Sequence, residues 1–410
     1  MVRSYFRKRG IVVFRKIRET FEPGSYYRQL LICVLVTNLA YGLYKGVIDN
    51  YLAEIVTMTE FDRGVAEFFR EIPGLLLVLI LAVFSTMSAE AMFKIGGFVM
   101  AMGVALLAQL PPDRILVTAA IFIFSTGEHI QLGMRNTLTL SYAKPGSGGT
   151  ALGLQNAVLQ AGTLMGYLIV MAAFVFVSGM GAFRVFFWVA SAMLLLGAVV
   201  SLRITGSNRT DPNKSRFYFR KKYTKYYMLE VFYGARKQVF FTFGPYVLIL
   251  FYGAGTTTMS LLFAVAAVSS FFASPIVGKL IDRVGYKVIM VTDTLVLVIV
   301  CFFYGFAHRM FPRDVAFIVC CVNYILDSII SLASMAANVY VQDISDSPEE
   351  VRATISTGIS VNHMITIFIA LFGGWIWETL GIETLFILSA VLGLCNSAYA
   401  ATIKTGKKPA

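Results

Sequence analysis

The sequence predicts an all-α polytopic membrane protein with about twelve transmembrane helices in two six-helix halves. Composition points there first: of 410 residues, 57% are hydrophobic and only 14% charged, with a mean hydropathy of +0.73. A soluble globular chain is nearer half apolar and a quarter charged. The second observation is recurrence, since apolar runs of about 20 residues, enough to cross a bilayer, follow one another along the whole chain. The third is the placing of basic loops, "RSYFRKRG" and "FRKIRE" at the start, "RTDPNKSRFYFRKKYTK" in the middle and "KTGKK" at the end. An even number of spans puts all three on one side, which the positive-inside rule makes the cytoplasm.

The spans fall near 28–55, 63–86, 91–110, 114–141, 149–178, 182–203, 226–253, 256–277, 286–308, 312–341, 352–379 and 381–403. Each must satisfy its backbone internally, so each is a helix; the alternating ten-residue pattern of a membrane β-barrel is not seen. The organisation is a cytoplasmic basic segment (1–27), a first bundle (28–203), a cytoplasmic basic linker (204–225), a second bundle (226–403) and a cytoplasmic tail (404–410). The basic, aromatic start suits an interfacial helix, and its one apolar run, "IVVF", is too short for a signal peptide. Much of the net charge of +12 is therefore topology, not a nucleic-acid surface. Five cysteines (Cys33, Cys301, Cys320, Cys321, Cys395) all fall in spans without metal-ligand spacing and read as core. The sequon "NRT" at 208–210 lies in the cytoplasmic linker and is expected to be silent.

Taken in order, the spans carry charges that oil would not tolerate unless they face a cavity or each other. Segment one sets Asn38, Tyr41, Lys45 and Asp49 on one face, with Lys45 and Asp49 spaced to pair. Segment two holds Glu67, Arg70 and Glu71 just before a kink at Pro73-Gly74. Segment four holds "STGEHIQLGMRNTL", where Glu128, Gln131 and Arg135 share a face while His129 and Asn136 point elsewhere. Glu128 and Arg135 stand about 10 Å apart along the axis, at about 1.5 Å per residue, so each needs a partner from outside its own helix. Segment five adds Gln155, Asn156 and Gln160. Segment seven aligns Glu230, Tyr233 and Lys237 beside Arg236, and segment ten aligns Asn323 and Asp327 in a run through Ser334 and Asn338. Asp293 stands alone in segment nine and reads as structural; Asn362 and His363 in segment eleven complete the set. For the pairs with ready partners, interhelical salt bridges are as good a reading as a binding site.

The halves share a plan. "YGLYKG" (41–46) and "YGARKQ" (233–238) both give Tyr-Gly-x-x-Lys, matching Lys45 with Lys237. Between segments eight and nine, "GKLIDRVGYK" (278–287) resembles the Gly-x-Leu-x-Asp-Arg-x-Gly-x-Lys signature of the major facilitator superfamily. The first-half counterpart, "STMSAEAMFK" (85–94), keeps Lys94 but has Ala89 and Glu90 where Asp and Arg would stand. The resemblance covers the whole chain through its six-plus-six plan. It implies a secondary transporter with a central cavity open alternately to each side, with the signature on a short cytoplasmic loop. It also implies that Gly278, Asp282, Arg283, Gly285 and Lys287 form a conformational latch and not a substrate site.

The mixture of buried charges points to a small organic anion or zwitterion. Guanidinium groups recognise carboxylate and phosphate, and a buried carboxylate can carry a coupling proton. Tyr41, Lys45, Arg70, Arg135, Tyr233, Arg236 and Lys237 are the substrate candidates; Glu128 is the first proton candidate, followed by Asp327, with Asp49 and Glu230 behind. No cofactor or metal is expected, and H+ is favoured over Na+ as coupling ion. The expected partners are a charged small molecule and the lipid bilayer, not nucleic acid, with the chain a monomer in a prokaryotic inner membrane. A multidrug or lysolipid exporter is the nearest alternative, given 17 methionines and 34 phenylalanines. An intramembrane enzyme fits less well: His129, His308 and His363 are scattered, and neither a zinc-protease nor a P-loop motif occurs. A transport-silent sensor on the same fold reads identically.

Overall fold

The structure is a computed structural model that describes residues 26–83, 87–144, 148–205 and 219–403. Twelve long helices account for nearly all of them: α1 (Tyr27–Ile55), α2 (Glu60–Val83), α3 (Ala89–Gln109), α4 (Arg114–Tyr142), α5 (Gly148–Ala173), α6 (Gly179–Ser201), α7 (Thr224–Tyr252), α8 (Thr256–Val284), α9 (Tyr286–Met310), α10 (Arg313–Ile344), α11 (Pro348–Leu380) and α12 (Ile382–Ala401). Ten are long and apolar enough to cross a membrane. The other two, α2 and α7, fall short because they carry the densest internal charge, Arg63-Glu67-Arg70-Glu71 and Glu230-Arg236-Lys237. Outward faces are apolar, as Phe271, Phe272, Ile276 and Ile318 illustrate, which suits a hydrocarbon surround.

Packing repeats with the period of one half. In the first half α1 packs on α5 and α6, α3 on α4 and α6, and α2 on α4. In the second, α7 packs on α11 and α12, α9 on α10 and α12, and α8 on α10. The two most extensive contacts between halves, α2 with α11 and α5 with α8, exchange under the same shift of six helices. The duplication visible in Tyr-Gly-x-x-Lys therefore extends to the helix arrangement.

The halves meet toward the end remote from the chain termini, here the far end. Asn50 Nδ2 donates to the Ala254 carbonyl at 2.8 Å, the Tyr246 hydroxyl to the Met58 carbonyl at 3.0 Å, and Ser260 Oγ to the Gly46 carbonyl at 3.0 Å. Between α2 and α11, Gly64 and Gly374 let the backbones touch: a Cβ on Gly64 would strike the Ala370 carbonyl, and one on Gly374 would stand 2.8 Å from that of Glu60. The opposite end, which carries the termini and the 202–223 connection, is the terminal end.

Several boundaries differ from the sequence reading, for local reasons. Helix α2 starts at Glu60 and not 63, because Thr59 and Asp62 exchange side-chain-to-backbone hydrogen bonds at 3.0 and 3.2 Å in the manner of a capping box. Helix α5 ends at Ala173, short of 178. Helix α8 runs on to Val284, so Gly278, Asp282 and Arg283 are helical and the expected signature loop shrinks to Gly285, whose φ of +89° suits glycine. Lys287 already belongs to α9. Helix α10 is interrupted by a 3-10 turn at Ser331–Ser334, and α1 ends in a π-helical turn at Tyr51–Ile55. Helix α11 begins at Pro348 behind a Ser347 cap. Of the cysteines read as core, Cys33, Cys301 and Cys320 are buried and Cys321 partly so, but Cys395 faces outward on α12. The sequon and most of the basic terminal and linker residues lie outside the described residues.

Candidate functional site

Seven internal charges of the first half form one continuous string. Lys45 Nζ meets Asp49 Oδ2 at 2.8 Å, one helical turn on along α1. Asp49 Oδ1 lies 3.3 Å from Arg63 Nη2, whose Nη1 lies 2.9 Å from Glu67 Oε2. Glu67 Oε1 accepts from Arg70 Nε and Nη2 at 2.9 and 2.6 Å, a paired geometry that fixes the guanidinium plane. Arg70 also pairs with Glu71, and its Nη1 stands 3.8 Å from Glu128 Oε2 on α4. Asp49, Arg63, Glu67 and Glu71 are all buried, and buried charges persist where paired and hydrogen-bonded.

The string crosses into the second half at its centre. Glu71 Oε2 meets His363 Nδ1 at 2.7 Å and accepts from Thr366 Oγ1 at 3.0 Å, both on α11. Gln238 Nε2 of α7 donates to Glu67 Oε1 at 3.1 Å. The His363 ring also sits edge-on to His129 of α4, centroids 5.0 Å apart. Phe241 of α7 is covered from the first half by Lys45 and Arg70, at 5.2 and 5.0 Å, a cation–π arrangement.

On the terminal side of these contacts lies a cavity of about 300 Å³ between the halves. The first half lines it with Asn38, Tyr41, Arg70, Glu71, Glu128, Gln131 and Arg135, the second with Lys237, Gln238, Phe241, Asn362, His363 and Thr366. A smaller pocket of about 30 Å³ on the far side takes Lys45, Asp49, Arg63 and Glu67. Tyr41, Arg70 and Glu128 border both.

The candidate residues therefore separate. Tyr41, Arg70, Glu128, Arg135 and Lys237 converge on the large cavity, while Lys45 and Asp49 are committed to the string beyond it. Arg135 and Glu128 make no ion pair, as their spacing requires, and Arg135 has none among the described residues; its Nε is buried without a hydrogen-bond partner. Lys237 is exposed into the cavity and also has no carboxylate within ion-pair distance among the described residues. The remaining candidates lie inside the second half. Arg236 is 1% exposed, with Nη2 at 3.7 Å from Asp293 and Nη1 at 3.9 Å from Asp327. Asp293, which stands alone in segment nine, thus faces Arg236 of α7. Glu230 and Tyr233 line a third small pocket with Asp293. Asp282 and Arg283 are exposed at the terminal end of α8.

Arg63, Gln238 and Thr366 were not among the sequence candidates. Arg63 had a signal, its i,i+4 spacing to Glu67 in "RGVAE". Gln238 and Thr366 matter only through contacts across the halves, which no local spacing encodes.

A family description, Major Facilitator Superfamily, matches residues 30–360 and again 227–409. The chain belongs to this superfamily. No curated protein matches it in sequence. Among solved structures of the superfamily fold, a variant of the nucleoside transporter NupG superposes with a TM-score of 0.74 at 15% identity, over 92% of this chain and 100% of that one. A peptide transporter of the POT type in complex with sulfate gives 0.71 at 12%, over 95% and 98%. A bacterial homologue of the human lysosomal transporter Spinster, inward-facing and occupied, gives 0.66 at 14%, over 92% and 97%. These likenesses show the fold alone; the family match is what makes the chain a transporter of this superfamily and not an enzyme. Asp282 and Arg283, in the stretch that resembles the superfamily signature, sit at the terminal end of α8 and do not line the cavity.

Proposed function

We propose that the chain is a secondary active transporter, working by alternating access, that moves a small organic anion or zwitterion in company with protons. The observation that carries this reading is the pair of uncommitted cations in the central cavity, Arg135 from the first half and Lys237 from the second. Lys45, Arg63, Arg70 and Arg236 all face carboxylates at 3.9 Å or less. A carboxylate or phosphate between Arg135 and Lys237 would satisfy both and bridge the halves. The cavity of about 300 Å³ is at the lower bound of ordinary small-molecule pockets, which favours a metabolite over a bulky drug or lipid.

Proton coupling falls to Glu128. The string sets three cations, Lys45, Arg63 and Arg70, against four carboxylates, Asp49, Glu67, Glu71 and Glu128. Glu128 has the longest contact, 3.8 Å, and faces the cavity. A proton on it leaves Arg70 held by Glu67 and Glu71. The terminal end is assigned to the cytoplasm by the positive-inside rule.

The test is a thermal-shift screen of small anions on purified protein, followed by uptake of the hits into proteoliposomes under an imposed pH gradient. Saturating ligand raises the unfolding midpoint, and the gradient drives accumulation in wild type. In Glu128→Gln, exchange of internal for external substrate persists while gradient-driven accumulation is lost. Accumulation by Glu128→Gln equal to wild type would remove Glu128 as the coupling site.

A further inference from the structure

The third pocket lies inside the second half, apart from the central cavity, and five of its nine lining residues are polar. Four helices meet around a space of about 20 Å³: α7 brings Glu230 and Tyr233, α9 Asp293, the 3-10 turn of α10 Ser334, and α12 Asn396. Every polar group in this lining can present oxygen. The hydroxyls of Tyr233 and Ser334 both donate to the Ser331 carbonyl, at 2.9 and 2.8 Å, so each has only lone pairs left to offer. Asn396 is 6% exposed, and its side-chain carbonyl oxygen is buried with no hydrogen-bond partner among the described residues. Leaving such a group unpaired away from water is costly.

Charge points the same way. Arg236 faces both Asp293 and Asp327, at 3.7 and 3.9 Å. Glu230 accepts from Asn362 Nδ2 at 3.1 Å, but no Lys, Arg or His lies within ion-pair distance of it among the described residues. The pocket therefore holds more negative than positive charge away from water. A water molecule offers two hydrogens and no charge; a small hard cation serves all five oxygen groups and offsets the excess carboxylate. Mg2+ keeps several of its waters, for which this space has no room, and Ca2+ takes about six to eight oxygens.

We propose that this pocket binds one sodium ion, held by Glu230, Asp293 and Asn396 with the hydroxyl oxygens of Tyr233 and Ser334. The ion ties α7, α9 and α12 to the point where α10 breaks. Asn362 lines the central cavity and also donates to Glu230, so it marks the way in. The site goes beyond the transport reading and stands whatever the cavity carries.

The test is thermal unfolding of the purified full-length protein in NaCl, KCl and choline chloride at equal ionic strength. The midpoint rises saturably with sodium and not with potassium or choline. Asn396→Ala raises the half-saturating sodium concentration about tenfold or more, and Ser334→Ala, a smaller change that spares the fold, raises it less. Asn396→Asp, which keeps the oxygen, retains the shift. Arg135→Ala keeps the sodium shift while losing any anion shift, so the two sites fail separately. Equal shifts in all three salts, a larger shift in potassium than in sodium, or an unchanged sodium response in both Asn396→Ala and Ser334→Ala would overturn the assignment.

Discussion

Arg70 and Arg135 carry the same side chain on packed helices of one half, yet their surroundings give them different work. Arg70 lies among Glu67, Glu71 and Glu128, so its removal leaves three carboxylates facing one another. Arg70→Ala is expected to destabilise by about 3–5 kcal/mol, as breaking a buried pair does, and to lower the unfolding midpoint. Arg135 has no such partner among the described residues, so Arg135→Ala is expected to leave the midpoint near wild type but to weaken anion uptake by about 10–100-fold in apparent affinity, the loss of a charged hydrogen bond of about 1.5–3 kcal/mol. Arg135→Lys recovers part of it, since an ammonium keeps the charge and not the fork. The seven-residue spacing of Glu128 and Arg135 was enough to say that they do not pair with each other. It did not say that Glu128 faces Arg70, or that Arg236 turns into its own half, because neighbouring residues on one helix reveal nothing about the helix opposite.

At the scale of elements, all twelve helices were legible, because a bilayer demands long apolar runs and leaves the backbone one way to satisfy itself. Ends were less legible where a cap or a glycine decides them, as Thr59–Asp62 and Gly285 do. The α2–α11 contact was not legible at all. It depends on Gly64 meeting Ala370 and Gly374, and small residues pack helices closely in membranes without leaving a long-range trace in sequence. Gly64→Val drives a branched side chain into a backbone carbonyl, with an expected cost of about 1–3 kcal/mol. The same change wedges the far end open. A lower unfolding midpoint and faster labelling of a cysteine placed at Thr59 are the expected outcomes; unaltered labelling would mean that the wedge is absorbed within α2.

For the whole molecule, the direct contacts named above that join the halves lie from the centre to the far end, and the cavity lies on the terminal side of them. The alternating access proposed above requires the far-end contacts to part while the two bundles keep their internal packing. Gly46 and Ser260 offer the sharpest control, because they touch across α1 and α8 and line none of the three pockets. A Cβ on Gly46 would stand 3.1 Å from Ser260 Oγ, a placement compatible with the Cβ–Cβ separation of about 3.5–4.5 Å that a disulfide needs. Gly46→Cys with Ser260→Cys, in a Cys395→Ser background, is therefore expected to cross-link under mild oxidation. The oxidised protein should still bind anion from the terminal side, since Arg135 and Lys237 remain open to it, but uptake should fall to background and return on reduction. Binding lost together with uptake would show that the cross-link distorts the cavity, whereas uptake that persists in fully cross-linked protein would mean that the far end does not open during transport.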